Sequence, residues 1–242
     1  PNFNKRKFNK IELIIIHYTA LKNINVSLRY LCDSKKKVSC HYLISQNGEI
    51  YNLVSEKNRA WHAGLSYWNF QKDINSCSIG IELDYSPNNK NNIFSKKLMS
   101  SLIQLLKIIK NKYNISSKNI LGHSDIAPYR KVDPGNKFPW KTLCKYDLAF
   151  NPLNVGKKTT LLVRNWFKKR QIISKKHITL FMLAYIGYDV SLSIKKKTNY
   201  NSLIKNYQNC HLQNLKKINN FNKTFHFIEK HFCNLLLTKL KK

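Results

Sequence analysis

The chain has 242 residues, of which 43% are hydrophobic, and it carries a formal net charge of +31. This apolar fraction is large enough to form a packed core, which excludes a disordered polybasic tail. No apolar run reaches the roughly 18 residues that a bilayer span requires, so we expect no transmembrane helix.

The positive charge is densest in the C-terminal part of the chain. Residues 151–242 contain 19 Lys and Arg against 2 Asp and Glu, whereas residues 1–150 contain 24 against 10. Nucleic acid, anionic lipid and a carboxylate-rich wall polymer would all attract such a chain, and a solvated basic face is the alternative. No helix-turn-helix, zinc-finger or aromatic RNA-binding signature is present, so we expect no specific nucleic-acid partner.

The N-terminal part begins with strand and helix patterns in alternation. Residues 11–18 are an apolar run with three consecutive isoleucines, which is typical of a strand buried on both faces. Residues 25–37 have the apolar spacing of a helix. Residues 41–45 and 49–54 are predicted to be short strands, and Asn47-Gly48 between them predicts a tight hairpin turn.

A second buried strand and a long helix follow. Residues 78–83 alternate as a strand, with Glu82 on the face opposite its apolar side chains. Ser95 is a candidate N-cap for a helix whose leucines keep helical spacing as far as Tyr113. A further apolar segment ends at His123. Strands mixed with helices predict an α/β domain with a central mixed β-sheet flanked by helices.

Beyond residue 150 the predicted elements are all helices. Pro152 and Gly156 interrupt a polar stretch at 151–158, where we place a domain boundary. The predicted helices are at about 159–169, 175–185, 201–208 and 221–237. The sequence therefore predicts two domains, at 1–150 and 159–242, and the second is a small all-helical domain.

Three polar residues are candidate metal ligands. His17 and His123 each end an apolar strand, which is where open α/β sheets place their sites, and Asp133 precedes Pro134-Gly135. Imidazole and carboxylate both bind zinc, and a catalytic zinc site usually has three protein ligands and one position for water. We therefore predict one zinc ion per chain, bound by His17, His123 and Asp133. Structural histidines and a turn-forming aspartate are the alternatives.

Two charged residues are candidates for the chemistry beside this metal. A bound zinc ion acidifies water and polarises a carbonyl, so a nearby general base is useful. Glu82, in an apolar strand, is the candidate base, and Lys131 is the candidate to stabilise the oxyanion. The alternatives are a buried ion-pair partner for Glu82 and an ordinary surface lysine for Lys131.

Several short motifs occur in an order that is informative. They are His17-Tyr-Thr-Ala, Cys40-His-Tyr-Leu, Asn47-Gly-Glu-Ile-Tyr, Arg59-Ala-Trp-His-Ala-Gly, Ser78-Ile-Gly-Ile-Glu-Leu, Gly122-His-Ser-Asp-Ile-Ala-Pro, Lys131-Val-Asp-Pro-Gly and Phe138-Pro-Trp. Over about residues 11–145 the chain resembles the zinc-dependent N-acetylmuramoyl-L-alanine amidases, the family of bacteriophage T7 lysozyme and the peptidoglycan recognition proteins. The resemblance implies the same zinc ligands, an acid/base role for Glu82 and transition-state assistance by Lys131.

The resemblance also implies a substrate groove. Trp61 and His62 would line this groove, with Asn75 nearby, and simple packing is the alternative for all three. His41 lies within the matched region but is expected to be structural.

The activity that the resemblance implies is hydrolysis of an amide in peptidoglycan. The bond joins N-acetylmuramic acid, or its 1,6-anhydro form, to the L-alanine of a stem peptide, and it is cut in cell wall turnover or recycling. The expected partner is therefore peptidoglycan or a muropeptide, and we expect a monomer. A non-catalytic peptidoglycan-recognition protein is the alternative, but the sequence fills every ligand position.

The C-terminal helices resemble the small peptidoglycan-binding module of the cell-envelope members of this family. The matching segments are residues 184–190 and 225–232, separated by a Lys- and Asn-rich insertion at 195–223. A helical buttress with a basic surface is the alternative. A wall-binding module favours the periplasm or cell envelope, and the unpaired cysteine pattern favours the cytoplasm. Because the chain begins at Pro1, we expect that an upstream segment has been removed.

Overall fold

A computed structural model of the protein describes residues 1–88, 93–151, 157–212 and 221–240. The chain divides into two compact units, of which the first contains residues 1–67 and 71–150. The second unit contains residues 68–70 and 151–242. The predicted boundary at 151–158 falls largely outside the described residues, and the functions predicted for the two parts stay predictions.

The first unit is built on a mixed sheet. The strands of this unit are β1 Phe3–Lys5, β2 Leu13–Tyr18, β3 Tyr42–Ile44, β4 Ile50–Asn52, β5 Asn58–Ala60, β6 Ser78–Leu83 and β7 Ile120–Gly122. Five strands form one sheet in the order β4-β3-β6-β2-β7, while β1 and β5 form a separate antiparallel pair. Within the larger sheet only the β3–β4 pair is antiparallel. The predicted central mixed sheet is confirmed.

The centre of this sheet is the parallel pair β2 and β6. The three isoleucines Ile14–Ile16 are fully buried, so both faces of β2 are covered, as the continuous apolar run predicts. The register pairs His17 with Glu82 near the carboxyl ends of the two strands. His123 follows directly after β7, which is parallel to β2. Parallel pairing therefore brings these three residues to the same edge of the sheet.

The helices of the first unit flank the sheet. They are α1 Ile24–Cys32, α2 Ile74–Cys77, α3 Lys96–Tyr113, α4 His123–Ile126 and α5 Trp140–Lys145. The start of α3 is as predicted, because the Ser95 hydroxyl accepts the Leu98 N–H at 3.0 Å. The first helix is shorter than the predicted 25–37. Its end follows from Asp33, which is extended and whose carboxylate accepts the Lys35 N–H of a separate 3₁₀ turn.

The described part of the second unit is helical, as predicted. Its helices are α6 Lys157–Lys169, α7 Lys175–Ile186, α8 Ser191–Lys195, α9 Lys197–His211 and α10 Phe221–Leu240. Most of α9 lies in the segment that the sequence marks as an insertion, yet it buries Leu203 and Tyr207 in the core of the unit. Residues 213–220 of that segment lie outside the described residues.

Polar and aromatic contacts complete the second unit. The Arg164 guanidinium donates two hydrogen bonds of 2.6 Å to the buried carboxylate of Glu229. Trp68 belongs to this unit because its ring packs edge-on against Tyr188, with ring centroids 5.0 Å apart. Within the described ranges, no helix combines the length and hydropathy that a bilayer span requires.

Helix α3 offers a matched pair of isoleucines for a stability test. Ile109 is 0% exposed and Ile108 is 63% exposed. Ile109→Ala removes buried methyl and methylene groups and leaves a cavity, so the free energy of unfolding should fall by about 2–5 kcal/mol. Ile108→Ala should change it by less than about 0.5 kcal/mol. Urea unfolding of both variants measures the difference, and equal effects would contradict the packing of α3.

Candidate active site

Two histidines and an aspartate meet at one edge of the sheet. His17 Nδ1 lies 2.9 Å from His123 Nδ1 and 3.2 Å from Asp133 Oδ2. His123 Nδ1 lies 3.1 Å from the same Asp133 oxygen. All three side chains are buried, and their donor atoms lie within 4.8 Å of one another. The structure thus brings together all three residues predicted as metal ligands, and together they form a possible metal site.

Local backbone structure holds the aspartate beside the histidines. The Ser124 N–H, in the first turn of α4, donates to the Asp133 carbonyl at 2.9 Å. Gly122 permits this close approach, since a Cβ there would lie 2.6 Å from Pro134 Cδ. The Asp125 carboxylate accepts the Gly122 N–H at 2.8 Å and so holds the start of the same turn.

The protonation states of this cluster suit a cation. Burial, and then the neighbouring His123, lower the pKa of His17 to about 4. Burial alone would raise the pKa of Asp133, but hydrogen bonding to His123 and His17 holds it well below its usual range. At neutral pH the site therefore presents a neutral His17 imidazole and an ionised carboxylate, the forms in which these groups bind metals.

Glu82 has a different environment from Asp133. It is 9% exposed, and its Oε2 has no hydrogen-bond partner among the described residues. Burial, and then the negative charge of Asp133, raise its pKa to about 8, opposed by the charge of Lys131. The half-buried Lys131 is thus close enough to act on Glu82 through its charge. The predicted base and the predicted lysine both lie near the cluster of His17, His123 and Asp133.

The three predicted groove residues differ in accessibility. Trp61 is half-buried, and its indole N–H donates to Asn4 Oδ1 at 2.9 Å. His62 is 5% exposed and Asn75 is 6% exposed. Substrate contact by these residues stays a prediction, but His62 and Asn75 lie inside the protein rather than on an open surface.

His62 and its neighbour Ala63 contact the two histidines of the cluster. His62 Nδ1 is 3.0 Å from His17 Nε2, and the Ala63 carbonyl is 3.1 Å from His123 Nε2. Asn75 Oδ1 accepts the N–H groups of both residues, at 3.0 and 2.8 Å. The sequence did not identify this arrangement. The one available signal is Gly80 within a buried strand, because the His62 ring occupies the space of its missing Cβ.

His41 lies outside the cluster. Its Nδ1 accepts the Gly80 N–H at 2.9 Å, and its Nε2 lies 3.1 Å from the Asn58 carbonyl. Arg6 is a close neighbour, with its Nη2 at 2.8 Å from the same ring. Burial, and then the charge of Arg6, lower the pKa of His41 to about 4.

Comparison with known proteins gives a consistent classification. Residues 7–136 match the family model of the N-acetylmuramoyl-L-alanine amidases. This match covers more than half of the chain, and the chain belongs to that family. The resemblance inferred from the motifs is therefore confirmed.

Two curated relatives illustrate the similarity. The chain is 39% identical over 164 residues to the N-acetylmuramoyl-L-alanine amidase AmiD of Escherichia coli K12, which covers 60% of this chain and 56% of AmiD. It is 34% identical over 160 residues to the 1,6-anhydro-N-acetylmuramyl-L-alanine amidase AmpD of Haemophilus influenzae, covering 58% of this chain and 85% of AmpD. The aligned part thus spans little more than half of AmiD.

Solved structures extend the similarity to both units of the chain. The complex of E. coli AmiD with anhydro-N-acetylmuramic acid-L-Ala-D-γ-Glu-L-Lys has a TM-score of 0.75 at 28% identity, covering 96% of this chain and 90% of that one. AMPDH3 from Pseudomonas aeruginosa has a TM-score of 0.75 at 27% identity, covering 98% of this chain and 95% of that one.

The buried His41 predicts a pH-dependent stability. The unfolded chain takes up a proton on this residue near its ordinary pKa of about 6.5, whereas the folded chain does so near 4. The unfolded state therefore binds more protons between these values, and the free energy of unfolding should fall as pH drops from 6.5 to 4, by about 3 kcal/mol from this residue.

Chemical unfolding at pH 7, 5.5 and 4 checks this. His41→Asn, whose Oδ1 can accept the Gly80 N–H, should reduce the pH slope. His177→Asn, at an exposed position on α7, is the matched control and should leave the slope unchanged. An unchanged slope in His41→Asn would contradict the prediction.

Proposed function

We propose that this protein is a zinc-dependent amidase. It hydrolyses the amide between N-acetylmuramic acid, or its 1,6-anhydro form, and the L-alanine of a peptidoglycan stem peptide. The observation that carries the proposal is the convergence of His17 Nδ1, His123 Nδ1 and Asp133 Oδ2 near Glu82, whose Oε2 has no hydrogen-bond partner in the described part of the chain. The proposed metal ligands therefore lie close to a candidate general base and to a lysine that can stabilise negative charge.

The donor set supports zinc as the cofactor, with one ion per chain. Two imidazole nitrogens and one carboxylate oxygen are a common protein ligand set for catalytic zinc. Three lone-pair atoms at 2.9–3.2 Å from one another repel unless a proton or a cation lies between them. When bound there, zinc supplies a Lewis acid that polarises an amide carbonyl and acidifies water.

Glu82 is the proposed general base and acid. Its register position opposite His17 keeps it beside the ligands, and its Oε2, which no described residue hydrogen-bonds, is available to accept the proton of an attacking water. The same carboxyl group then returns the proton to the leaving amide nitrogen as the C–N bond breaks. The products are the lactyl carboxylic acid of the sugar and a peptide with a free L-alanine amine. A pKa raised to about 8 favours the protonated carboxyl that donates to the leaving nitrogen, and a cation bound by the neighbouring ligands would lower this pKa towards neutrality and so favour the base form.

Lys131 is the proposed electrostatic stabiliser of the reaction. Negative charge develops on the carbonyl oxygen when water adds to the amide carbon. A half-buried ammonium whose charge acts on Glu82 and His17 is well placed to offset such charge.

The substrate class is supported by the relatives. AmiD and AmpD are named as amidases of N-acetylmuramoyl- and 1,6-anhydro-N-acetylmuramyl-L-alanine, and the AmiD structure contains an anhydro-muropeptide. We propose the half-buried Trp61 as a contact in the groove for such a substrate. A recognition protein without catalysis is the alternative, but the complete ligand set and Glu82 favour hydrolysis.

The second unit has a proposed role in substrate association. Its sequence carries 19 basic and 2 acidic residues, and such a charge attracts anionic polymers over distances of a Debye length. We propose that it is a peptidoglycan-binding-like unit and that the protein works as a monomer in the cell envelope. Fractionation of cells tests the location, for which the cytoplasm is the alternative. Sedimentation of the purified protein tests the oligomeric state.

Asp133→Ala tests the metal site. Removing a ligand should abolish stoichiometric zinc binding, a larger effect than the roughly 10–100-fold loss of affinity seen when a supporting residue is removed. Elemental analysis after dialysis should give about one zinc per wild-type chain and almost none in the variant. Asp147→Asn, at an exposed aspartate, is the control and should retain the metal. Stoichiometric zinc in Asp133→Ala would contradict the proposed ligand set.

Glu82→Gln tests the acid/base role. The substitution keeps the size of the side chain but removes proton transfer, so kcat should fall by about 10²–10⁴-fold while zinc content stays at one per chain. Mass spectrometry of products from a defined anhydro-muropeptide measures the rate. Glu49→Gln, on the exposed hairpin, should keep wild-type activity. Full turnover by Glu82→Gln would remove this residue from the mechanism.

A further inference from the structure

We propose that His62 is a positioning residue that sets the proton arrangement of the metal-binding histidine His17. The geometry points to a directed chain of hydrogen bonds that leaves the lone pair of His17 on Nδ1, the atom facing the cluster. This inference rests on the proposed metal role of His17, and it gives His62 a task distinct from contact with substrate.

The chain of hydrogen bonds starts at a backbone carbonyl, which accepts and never donates. Ser78 Oγ lies 2.6 Å from the Ile74 carbonyl oxygen, so the Ser78 hydroxyl must donate its proton there. His62 Nε2 lies 3.2 Å from the same Ser78 Oγ. Because the hydroxyl proton is already used, Ser78 acts as acceptor and His62 Nε2 carries the donating proton.

The next hydrogen bond joins His62 to His17 of the cluster. A neutral imidazole with a proton on Nε2 has its lone pair on Nδ1. His62 Nδ1 therefore accepts a hydrogen bond from the His17 Nε2–H, 3.0 Å away. The lone pair of a neutral His17 is then on Nδ1, which lies 2.9 Å from His123 Nδ1 and 3.2 Å from Asp133 Oδ2. Every donor in this chain meets one acceptor.

Ala63, which follows His62 in the sequence, acts on His123 in the same way. The Ala63 carbonyl, which also accepts the Arg130 Nη2–H at 2.8 Å, lies 3.1 Å from His123 Nε2, closer to it than Arg130 Nη2 at 3.5 Å. The shorter contact favours a proton on Nε2 and so leaves the lone pair on Nδ1. Asn75 Oδ1 holds the backbone N–H groups of His62 and Ala63, at 3.0 and 2.8 Å. The Asn75 side chain thus holds His62 and Ala63 in place, and these two residues orient both histidines of the proposed metal site.

The His62 ring has little freedom to adopt another orientation. A Cβ on Gly80 would lie 2.3 Å from His62 Cγ, so the ring rests directly against the backbone of β6. Both ring nitrogens are already within hydrogen-bond distance of protein partners, and the side chain is buried. These contacts favour positioning over direct contact with substrate.

The test compares two substitutions at His62 by their affinity for zinc alone. His62→Leu removes the acceptor for His17 Nε2 and should weaken zinc binding by about 10–100-fold. His62→Asn places Oδ1 near the former Nδ1, restores the acceptor, and should recover most of that loss. Competition with a chromophoric chelator measures both affinities, and circular dichroism confirms that each variant is folded. Wild-type zinc affinity in a folded His62→Leu variant would overturn the proposal.

A measurement on the unmodified protein decides the matter if His62→Leu fails to fold. In the zinc-loaded wild type labelled with ¹⁵N-histidine, NMR should show a proton on Nε2 of both His17 and His62. A proton on Nδ1 of either residue would overturn the proposal.

The outcome is separable from that of the proposed function. Hydrolysis of the anhydro-muropeptide is measured on the same wild-type preparation. Zinc binding without hydrolysis would refute the amidase activity, while the affinity ratio between the two His62 variants would still support or refute the role of His62.

Discussion

The site depends on the parallel pairing of β2 with β6 and β7. In-register residues of neighbouring strands point to the same face, so pairing His17 with Glu82 places a candidate ligand beside a candidate base. A slip of one residue would turn one of them to the opposite face. The isoleucines of β2 are fully buried on both faces, so this strand lies at the centre of the sheet. The pairing of this central strand thus controls the geometry of the polar cluster.

Burying such a cluster costs stability, and the surrounding structure offsets only part of that cost. A carboxylate oxygen on Glu82 without a hydrogen-bond partner among the residues described, and a tight group of two imidazoles and one carboxylate, are unfavourable in a dry environment. Hydrogen bonds from His17 and His123 to His62 and the Ala63 carbonyl satisfy the outer ring nitrogens. A bound cation would satisfy the inner ones and stabilise the folded state in proportion to its affinity.

The sequence identified Asp133 and Lys131, which lie outside regular elements, from the Lys131-Val-Asp-Pro-Gly motif, and it identified the other proposed ligands and the base from their strands. His17, His123 and Glu82 lie in or next to apolar strands, so periodicity and the family motifs were enough to bring them together. His62 and Asn75 lie in a loop and a one-turn helix, where periodicity carries no information. The position of the His62 ring depends on the space above Gly80, which only the folded sheet defines. The early end of α1 also depends on a side chain. The Asp33 carboxylate caps a separate 3₁₀ turn, although the three lysines after it would suit the end of a longer helix.

The two carboxylates of the site have opposite environments, and this contrast favours different roles for them. Asp133 is surrounded by hydrogen-bonding imidazoles that hold its pKa well below the usual range, so it stays ionised and suits a cation. Glu82 is buried next to that negative charge, and its pKa rises to about 8. Pairs of titratable groups whose pKa values are pushed apart are typical of acid/base sites. One edge of the sheet therefore supplies a carboxylate that stays ionised and a carboxyl group that can exchange a proton, which suits the proposed roles of Asp133 and Glu82 in amide hydrolysis.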